Sequence, residues 1–289
     1  MIHRNQESNS MLRILVTATL LSAATAIHAE EAWKTIPAPA PMPEPSASGL
    51  ADINGIQMYF ATYGAAEGTP ILLIHGGLAH ADIWSAQISD LMTDHAVIVA
   101  DTRGHGRSTN DGSAYTYELL AEDYVGLLDH LDVEKVHLVG WSDGANIGYE
   151  ISKSAPDRLA SHFAHAGNVT LDGIDPSVET NPAFGTYVGL MAEDYAKLSA
   201  TPDAFEGFLG GVVEMWSTDK PGGLAALEEV GVPTLVVQSA HDEAILMDHS
   251  KDIAGAIPGA DLLVLEDVSH FAMFQDPGAY TAAIRDFLE

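Results

Sequence analysis

Three side chains of this sequence could together make a nucleophile: Ser142, Asp242 and His270. A serine hydroxyl is weak at neutral pH. It needs a base to take its proton, and the base needs an acid to hold its tautomer. Ser142 stands in Gly140-Trp141-Ser142-Asp143-Gly144, a G-x-S-x-G pattern. That pattern carries chemistry only when a strand enters it and a helix leaves it. Both are expected here. Residues 135–139 are a short apolar run that suits a buried strand, and Ala145, Ile147, Ile151 and Ala155 follow at mostly helical spacing. Such a turn strains the serine backbone and lifts the hydroxyl above the sheet edge. A helix beginning at Asp143 aims its amides and positive end at the serine, where an oxyanion would form.

The elements that must hold these residues follow from the apolar pattern. Residues 51–53 and 56–63 flank Asn54-Gly55, a hairpin signal. Further strands are expected over 70–75, 96–101, 135–139, 159–166, 233–238 and 261–265. Helices are expected over 81–92, 117–131, after Asp143, over 247–257 and over 278–288. Strands alternating with helices at this pitch argue for a parallel sheet covered on both faces. The alternation stops between 168 and 230. There Thr201-Pro202 starts a helix carrying Phe205, Phe208, Leu209, Val212, Val213 and Trp216 at helical spacing, read as part of a lid inserted between two strands. Asp242 follows the 233–238 strand and His270 follows the last strand. Both therefore reach the sheet edge that presents Ser142, where ligands collect.

Five motifs fall in order at the strand ends: His-Gly-Gly at 75–77, D-T-R-G-H-G-R-S at 101–108, G-W-S-D-G at 140–144, S-A-H-D-E-A-I at 239–245 and V-S-H-F-A-M-F-Q-D-P at 268–277. Together they resemble the α/β-hydrolase superfamily over roughly residues 50–289. Ser239 is a departure, since the acid loop of that superfamily usually opens with glycine. The resemblance implies a mostly parallel sheet flanked by helices, with a helical lid inserted at 168–230. It implies that Ser142 attacks a carbonyl, that His270 takes and returns the proton, and that Asp242 orients His270. Glu243 and Asn168 are the alternative acids. The N–H groups of Asp143 and Gly77 are the implied oxyanion donors, with Leu78 in place of Gly77 if the loop register shifts. Serine at the elbow argues against dehalogenase or epoxide-hydrolase chemistry, which uses aspartate there.

The implied reaction is hydrolysis of a small-molecule carboxylic ester through an acyl-serine. The alternatives are hydrolysis of α-amino-acid esters or lactones, or a non-catalytic binding protein on the same fold. G-W-S-D-G is similar to the elbow of the biphenyl-hydrolase-like enzymes, valacyclovir hydrolase among them, and that likeness implies an Asp143 carboxylate binding a substrate ammonium. The other reading of Asp143 is an acid placed at a helix N-terminus by the dipole. Phe208 and Trp216 are the lid residues expected to meet substrate, against core packing as the plain alternative. His75 is expected to brace the oxyanion loop, and His80 to sit in solvent. No cofactor is expected. With no H-E-x-x-H or similar ligand spacing, no metal is expected either.

Composition narrows the remainder. The chain has 289 residues and no cysteine, which excludes disulfides, thiol catalysis and cysteine metal sites. Its formal charge of −29 makes nucleic acid and anionic membrane surfaces poor partners. Arg4 and Arg13 precede an apolar stretch at 14–27, and Ala29 is a plausible cleavage point. Residues 1–29 are therefore expected to be a signal peptide, with an uncleaved anchor as the alternative. The mature protein would be periplasmic or secreted, without membrane association once the signal is removed. Residues 30–49, with prolines from 37 to 45, are expected to be an extended and poorly ordered linker.

Overall fold

The computed structural model describes residues 31–65 and 67–289. The signal peptide expected over 1–29 lies outside the described residues. The hairpin β1 (Ala47–Ile53) and β2 (Ile56–Tyr63) turns on Asn54 and Gly55, whose φ angles are 43° and 85°. Positive φ at both positions is what a two-residue turn matching strand twist requires. Then follow β3 (Ile71–Ile74), α1 (Ser85–Leu91), β4 (Val97–Ala100), α2 (Tyr117–His130), β5 (Val136–Trp141), α3 (Asp143–Ser154) and β6 (Leu159–His165). The helices of the segment expected to form a lid come next: α4 (Pro182–Leu198), α5 (Phe205–Thr218) and the short α6 (Gly223–Leu227). The chain closes with β7 (Thr234–Ser239), α7 (Met247–Ala256), β8 (Asp261–Leu265), α8 (Ala272–Gln275) and α9 (Pro277–Leu288).

The strands form one sheet in the order β1-β2-β4-β3-β5-β6-β7-β8. β1, β2 and β4 pair antiparallel; β4 onward to β8 is parallel. Every residue of β3 and β4 is buried, because helices cover both faces of a parallel sheet. The chain steps outward from β3 to β4, then back across β3 to β5. Right-handed crossovers in opposite directions put α1 and α2 on opposite faces. The reversal opens a crevice beyond the carboxyl ends of β3 and β5, where such sheets bind ligands. His75-Gly76-Gly77 and Ser142 both emerge there.

Two findings add to the expectations. Within the linker expected over 30–49, β1 already begins at Ala47, and Ile36 and Met42 pack against the domain core. Proline removes amide donors, so 35–45 forms no strand or helix, yet its apolar side chains still find a surface. The lid also holds a second long helix, α4, that the pattern did not single out. Its buried stripe is only Tyr187, Met191 and Tyr195, and Gly185 and Gly189, poor helix formers, sit on the exposed face. α5 begins at Phe205, after a 3-10 turn over Pro202–Ala204.

Candidate active site

Ser142 has φ 55° and ψ −117°, a positive-φ conformation that a side chain adopts only under constraint. Its amide donates to the His165 carbonyl at 2.8 Å, which continues the β5–β6 ladder by one bond. Its carbonyl accepts from Ala145 and Asn146 and so starts α3. The turn is tight enough that a Cβ at Gly144 would overlap the backbone of Ile74. Ladder, helix and this close approach together hold the serine in its strained form.

The loops after β7 and β8 bring Asp242 to His270. His270 Nδ1 lies 3.1 and 3.0 Å from the two carboxylate oxygens of Asp242. Both side chains are almost wholly shielded, at 3% and 1% exposure. An Nδ1–H donating to this carboxylate leaves the Nε2 lone pair free to accept a proton. Asp242 Oδ1 also accepts the amides of Ala244 and Ile245, each at 2.8 Å. Burial alone would raise the Asp242 carboxyl; the imidazole and the two amides outweigh it and hold the group below its usual range. Burial would likewise lower His270, but Asp242 prevails and the imidazole stays above its ordinary 6.5. Trp141 Nε1 donates to the His270 carbonyl at 2.8 Å and so ties the histidine loop to the residue before Ser142. The Ser142 hydroxyl makes no hydrogen bond to His270 here. Catalytic bonds of unliganded enzymes commonly tighten only when substrate is bound.

The alternative acids have other partners. Glu243 accepts from the backbone N–H of His270 at 3.1 Å and from the Ser269 hydroxyl, so it holds the loop and not the ring. Asn168 exchanges hydrogen bonds with Asn146, at 3.0 and 2.7 Å, and fastens α3 to the turn after β6.

On the oxyanion side, the Gly76 carbonyl lies 2.7 Å from His75 Nδ1 and accepts from the Ala79 amide at 3.2 Å. His75 Nε2 accepts from Thr102 N–H at 3.0 Å. Burial pushes His75 down to about 3, so it stays neutral with its proton on Nδ1. A trans peptide is planar, so pinning the Gly76 carbonyl also fixes the direction of the Gly77 N–H. Tyr187 of α4 donates to the Gly77 carbonyl at 2.6 Å. A side chain at Gly77 would overlap both the Asp143 carboxylate and the Trp216 ring. Oxyanion loop, elbow and lid therefore meet at this one residue.

The Asp143 side chain is bonded within the protein. One of its carboxylate oxygens accepts from Tyr117 OH and the other from Trp216 Nε1, each at 2.7 Å. Both oxygens are thus engaged by neutral groups of the protein, and burial raises the carboxyl above its usual value. At the first position of α3 the Asp143 N–H has no intrahelical acceptor and remains available. The residue's backbone and side chain serve different ends.

The lid pair also separates. Trp216 stands over Gly77 and Asp143, beside Phe184. Phe208 instead packs on His105, Tyr115 and Tyr195, and it lines a cavity of about 790 Å³ between the 104–116 loop and α5. Neither Ser142 nor His270 lines that cavity. His80 is buried, not solvated, and lies 3.3 Å from Asp194 of α4. Tyr117, Tyr187 and Trp141 are site residues that the sequence reading passed over. Trp141 is the free position of G-x-S-x-G, and Tyr117 and Tyr187 lie on apolar helix faces, where they read as core. Among the described residues no cluster of three or more His, Cys, Asp or Glu could hold a metal ion, and no helix is long and apolar enough to cross a membrane.

Known proteins share this architecture. The family described as alpha/beta hydrolase fold matches residues 69–207. A Caulobacter vibrioides protein named carbamate hydrolase RutD is 28% identical over 267 residues, covering 83% of this chain and 97% of the relative. Among solved structures, Est816, described as an N-acyl homoserine lactone degrading enzyme, superposes with a TM-score of 0.66 at 27% identity, over 83% of this chain and all of its own. The enol-lactonase from Burkholderia xenovorans LB400 also superposes with a TM-score of 0.66, at 22% identity, over 83% of this chain and 99% of its own, a likeness of fold.

Proposed function

We propose that this chain, whose fold and match over residues 69–207 are those of the α/β-hydrolases and whose relatives support a hydrolase-type enzyme, cleaves neutral carboxylic esters, open-chain or cyclic, through an acyl-Ser142 intermediate. The observation that carries the reading is His270 Nδ1 held against both oxygens of Asp242, at the sheet edge that presents Ser142 on its strained turn. Nε2 of His270 takes the proton as Ser142 Oγ attacks the carbonyl. The amides of Asp143 and Gly77 receive the developing oxyanion. His270 then protonates the leaving alcohol, and water enters by the same route to release the acid. For a lactone the leaving alcohol stays attached to the acyl group, and the steps are unchanged.

The surroundings favour an uncharged substrate. Phe184, Tyr187, Trp216 and Phe271 form an aromatic cluster against Trp141 and the oxyanion loop. Both Asp143 carboxylate oxygens already accept hydrogen bonds from Tyr117 and Trp216, which ties the group to the protein instead of presenting it to an ammonium. The net charge of −29 opposes anionic substrates. The 27% identical lactone-degrading structure supports the cyclic ester, and the relative named carbamate hydrolase supports a second reading in which the same attack yields a carbamoyl-serine. Action in the periplasm or outside the cell, after removal of residues 1–29, belongs to the same proposal; the N-terminal sequence of the mature protein tests it.

The deciding experiment is kcat/KM for p-nitrophenyl butyrate, an N-acyl homoserine lactone, a phenyl carbamate and a p-nitrophenyl α-amino-acid ester, with Ser142→Ala as the blank. Butyrate or the lactone should be turned over, with a loss on the order of 10⁴-fold or more in the variant. Preference for the carbamate selects the second reading. Preference for the amino ester would contradict the closed Asp143. Wild type equal to the blank on all four would sink the proposal and leave a binding protein on this fold.

A further inference from the structure

The segment just before the hairpin touches both loops of the acid–base pair. Residues Ala32–Lys34 form a 3-10 turn closed by its own bonds, with the amides of Lys34 and Thr35 donating to the carbonyls of Glu31 and Ala32. From this turn the Trp33 ring stacks on His241, with centroids 4.0 Å apart and planes 7° from parallel. His241 is the residue before Asp242 and is otherwise exposed. Two residues on, the Thr35 carbonyl accepts from Gln275 Nε2 at 2.9 Å. The Gln275 amide turns its oxygen to Ser269 N–H at 2.7 Å and also donates to the Ser269 hydroxyl at 2.9 Å. Ser269 precedes His270. One short stretch therefore reaches the residue before the acid and, through Gln275, the residue before the base.

Its place in the fold gives it something to do. β8 is the edge strand of the sheet, so the histidine loop that leaves it has sheet support on one side only, and the acid loop after β7 borders it. The acid loop is joined to the histidine loop by His241 N–H donating to the Val268 carbonyl at 3.1 Å. A flat aromatic pair is rigid at low entropic cost and shields the loop from water. The core does not depend on it: Trp33 is half-buried and lies outside the main apolar cluster.

We propose that the segment 32–36 is a strap that positions the Asp242–His270 pair, Trp33 holding the acid loop through His241 and Thr35 holding the histidine loop through Gln275. Trp33 is a positioning residue, since it touches neither substrate nor the reacting atoms. The proposal rests on the catalytic reading of that pair given above. The titratable groups bearing on His270 are Asp242 and Glu243 from the acid loop, Asp143 from α3 and His165 of β6, which burial keeps neutral, and none belongs to the strap.

The test uses the full chain with Trp33→Ala, Trp33→Phe, His241→Ala and the Trp33→Ala/His241→Ala double variant. With the best ester, Trp33→Ala should lower kcat about tenfold with KM unchanged, and Trp33→Phe should stay within about twofold of wild type. The double variant should lose no more than His241→Ala alone, because both changes break one contact. The ascending limb of the pH profile should move down toward 6.5 in Trp33→Ala as Asp242 is held less firmly. Wild-type kcat and an unmoved limb in Trp33→Ala overturn the strap. So does a loss that appears only as a lower Tm, with kcat and limb unchanged at a temperature where the variant is folded. If wild type hydrolyses no ester, the catalytic reading has failed independently, and NMR titration of the His270 ring in wild type and Trp33→Ala reads the strap directly. A moved titration supports it; an unmoved one overturns it.

Discussion

Asp242 and Asp143 are buried carboxylates at one sheet edge, and their surroundings push them in opposite directions. Asp242 faces an imidazole and two backbone amides, and its carboxyl sits below the usual range. Asp143 faces a phenol and an indole, both neutral, and its carboxyl sits above it. Burial disfavours the charged form at both positions, so the partners decide the sign. A carboxylate that must steady a developing imidazolium needs the first environment. A carboxylate that ties a lid to an elbow needs only donors, and it has two from different elements. In the proposed mechanism the loops after β7 and β8 serve proton transfer, and the junction of α3, α2 and α5 serves closure.

The largest expected effect lies on the first side. Asp242→Asn should lower kcat on the order of 10⁴-fold at neutral pH with little change in fold, because the amide favours the wrong imidazole tautomer. A loss no greater than that of an Asp143 variant would break the distinction between the two acids. The pH profile sharpens it. His270 must be neutral to act as base, and its pKa is raised, so it stays protonated to higher pH than a free imidazole. Activity should therefore rise with pH along a limb centred above 6.5 and fall about tenfold per pH unit below it. A limb at or below 6.5 would mean that Asp242 does not support the imidazole.

On the lid side the effects should be smaller and of another kind. Trp216→Phe keeps an aromatic ring, though a smaller one, and removes a donor to a buried carboxylate, and it should destabilise the fold by about 1.5–3 kcal/mol. Thermal unfolding reads that loss, and KM should rise more than kcat falls as the lid loosens. A pure kcat defect would move Trp216 into the proton-transfer side of the comparison. The smallest effect is expected from Glu243→Gln. The amide oxygen can still accept the His270 N–H, so kcat should stay within about threefold. A loss approaching that of Asp242→Asn would make Glu243 the working acid despite its distance from the ring.

The two sides also differed in legibility. The eight strands, the α3 helix and the neighbourhood of Ser142, Asp242 and His270 follow from short-range signals: apolar runs, Asn-Gly, and glycines around one serine. Each of those residues lies at or just beyond a strand end, so knowing the strands locates it on the edge. α4 was missed because its buried stripe is short and its glycines are poor helix formers, and Tyr117 and Tyr187 were hidden because an aromatic on an apolar helix face looks like core. Phe208 and Trp216 share one helix and similar spacing, yet one lines a separate cavity and the other roofs Gly77.

The sequence by itself determined the order of the strands, the strained serine turn and the acid and histidine candidates, because backbone sterics and hydrophobic periodicity act over a few neighbouring residues. Only the tertiary structure decided what each carboxylate does. Asp143 meets Tyr117 across 26 residues of sequence and Trp216 across 73, Tyr187 reaches Gly77 across 110, and Gln275 reaches Thr35 across 240. Those pairings arise when helices and loops dock on the sheet, and a carboxylate's pKa and partners follow from whatever donors that docking brings within about 3 Å.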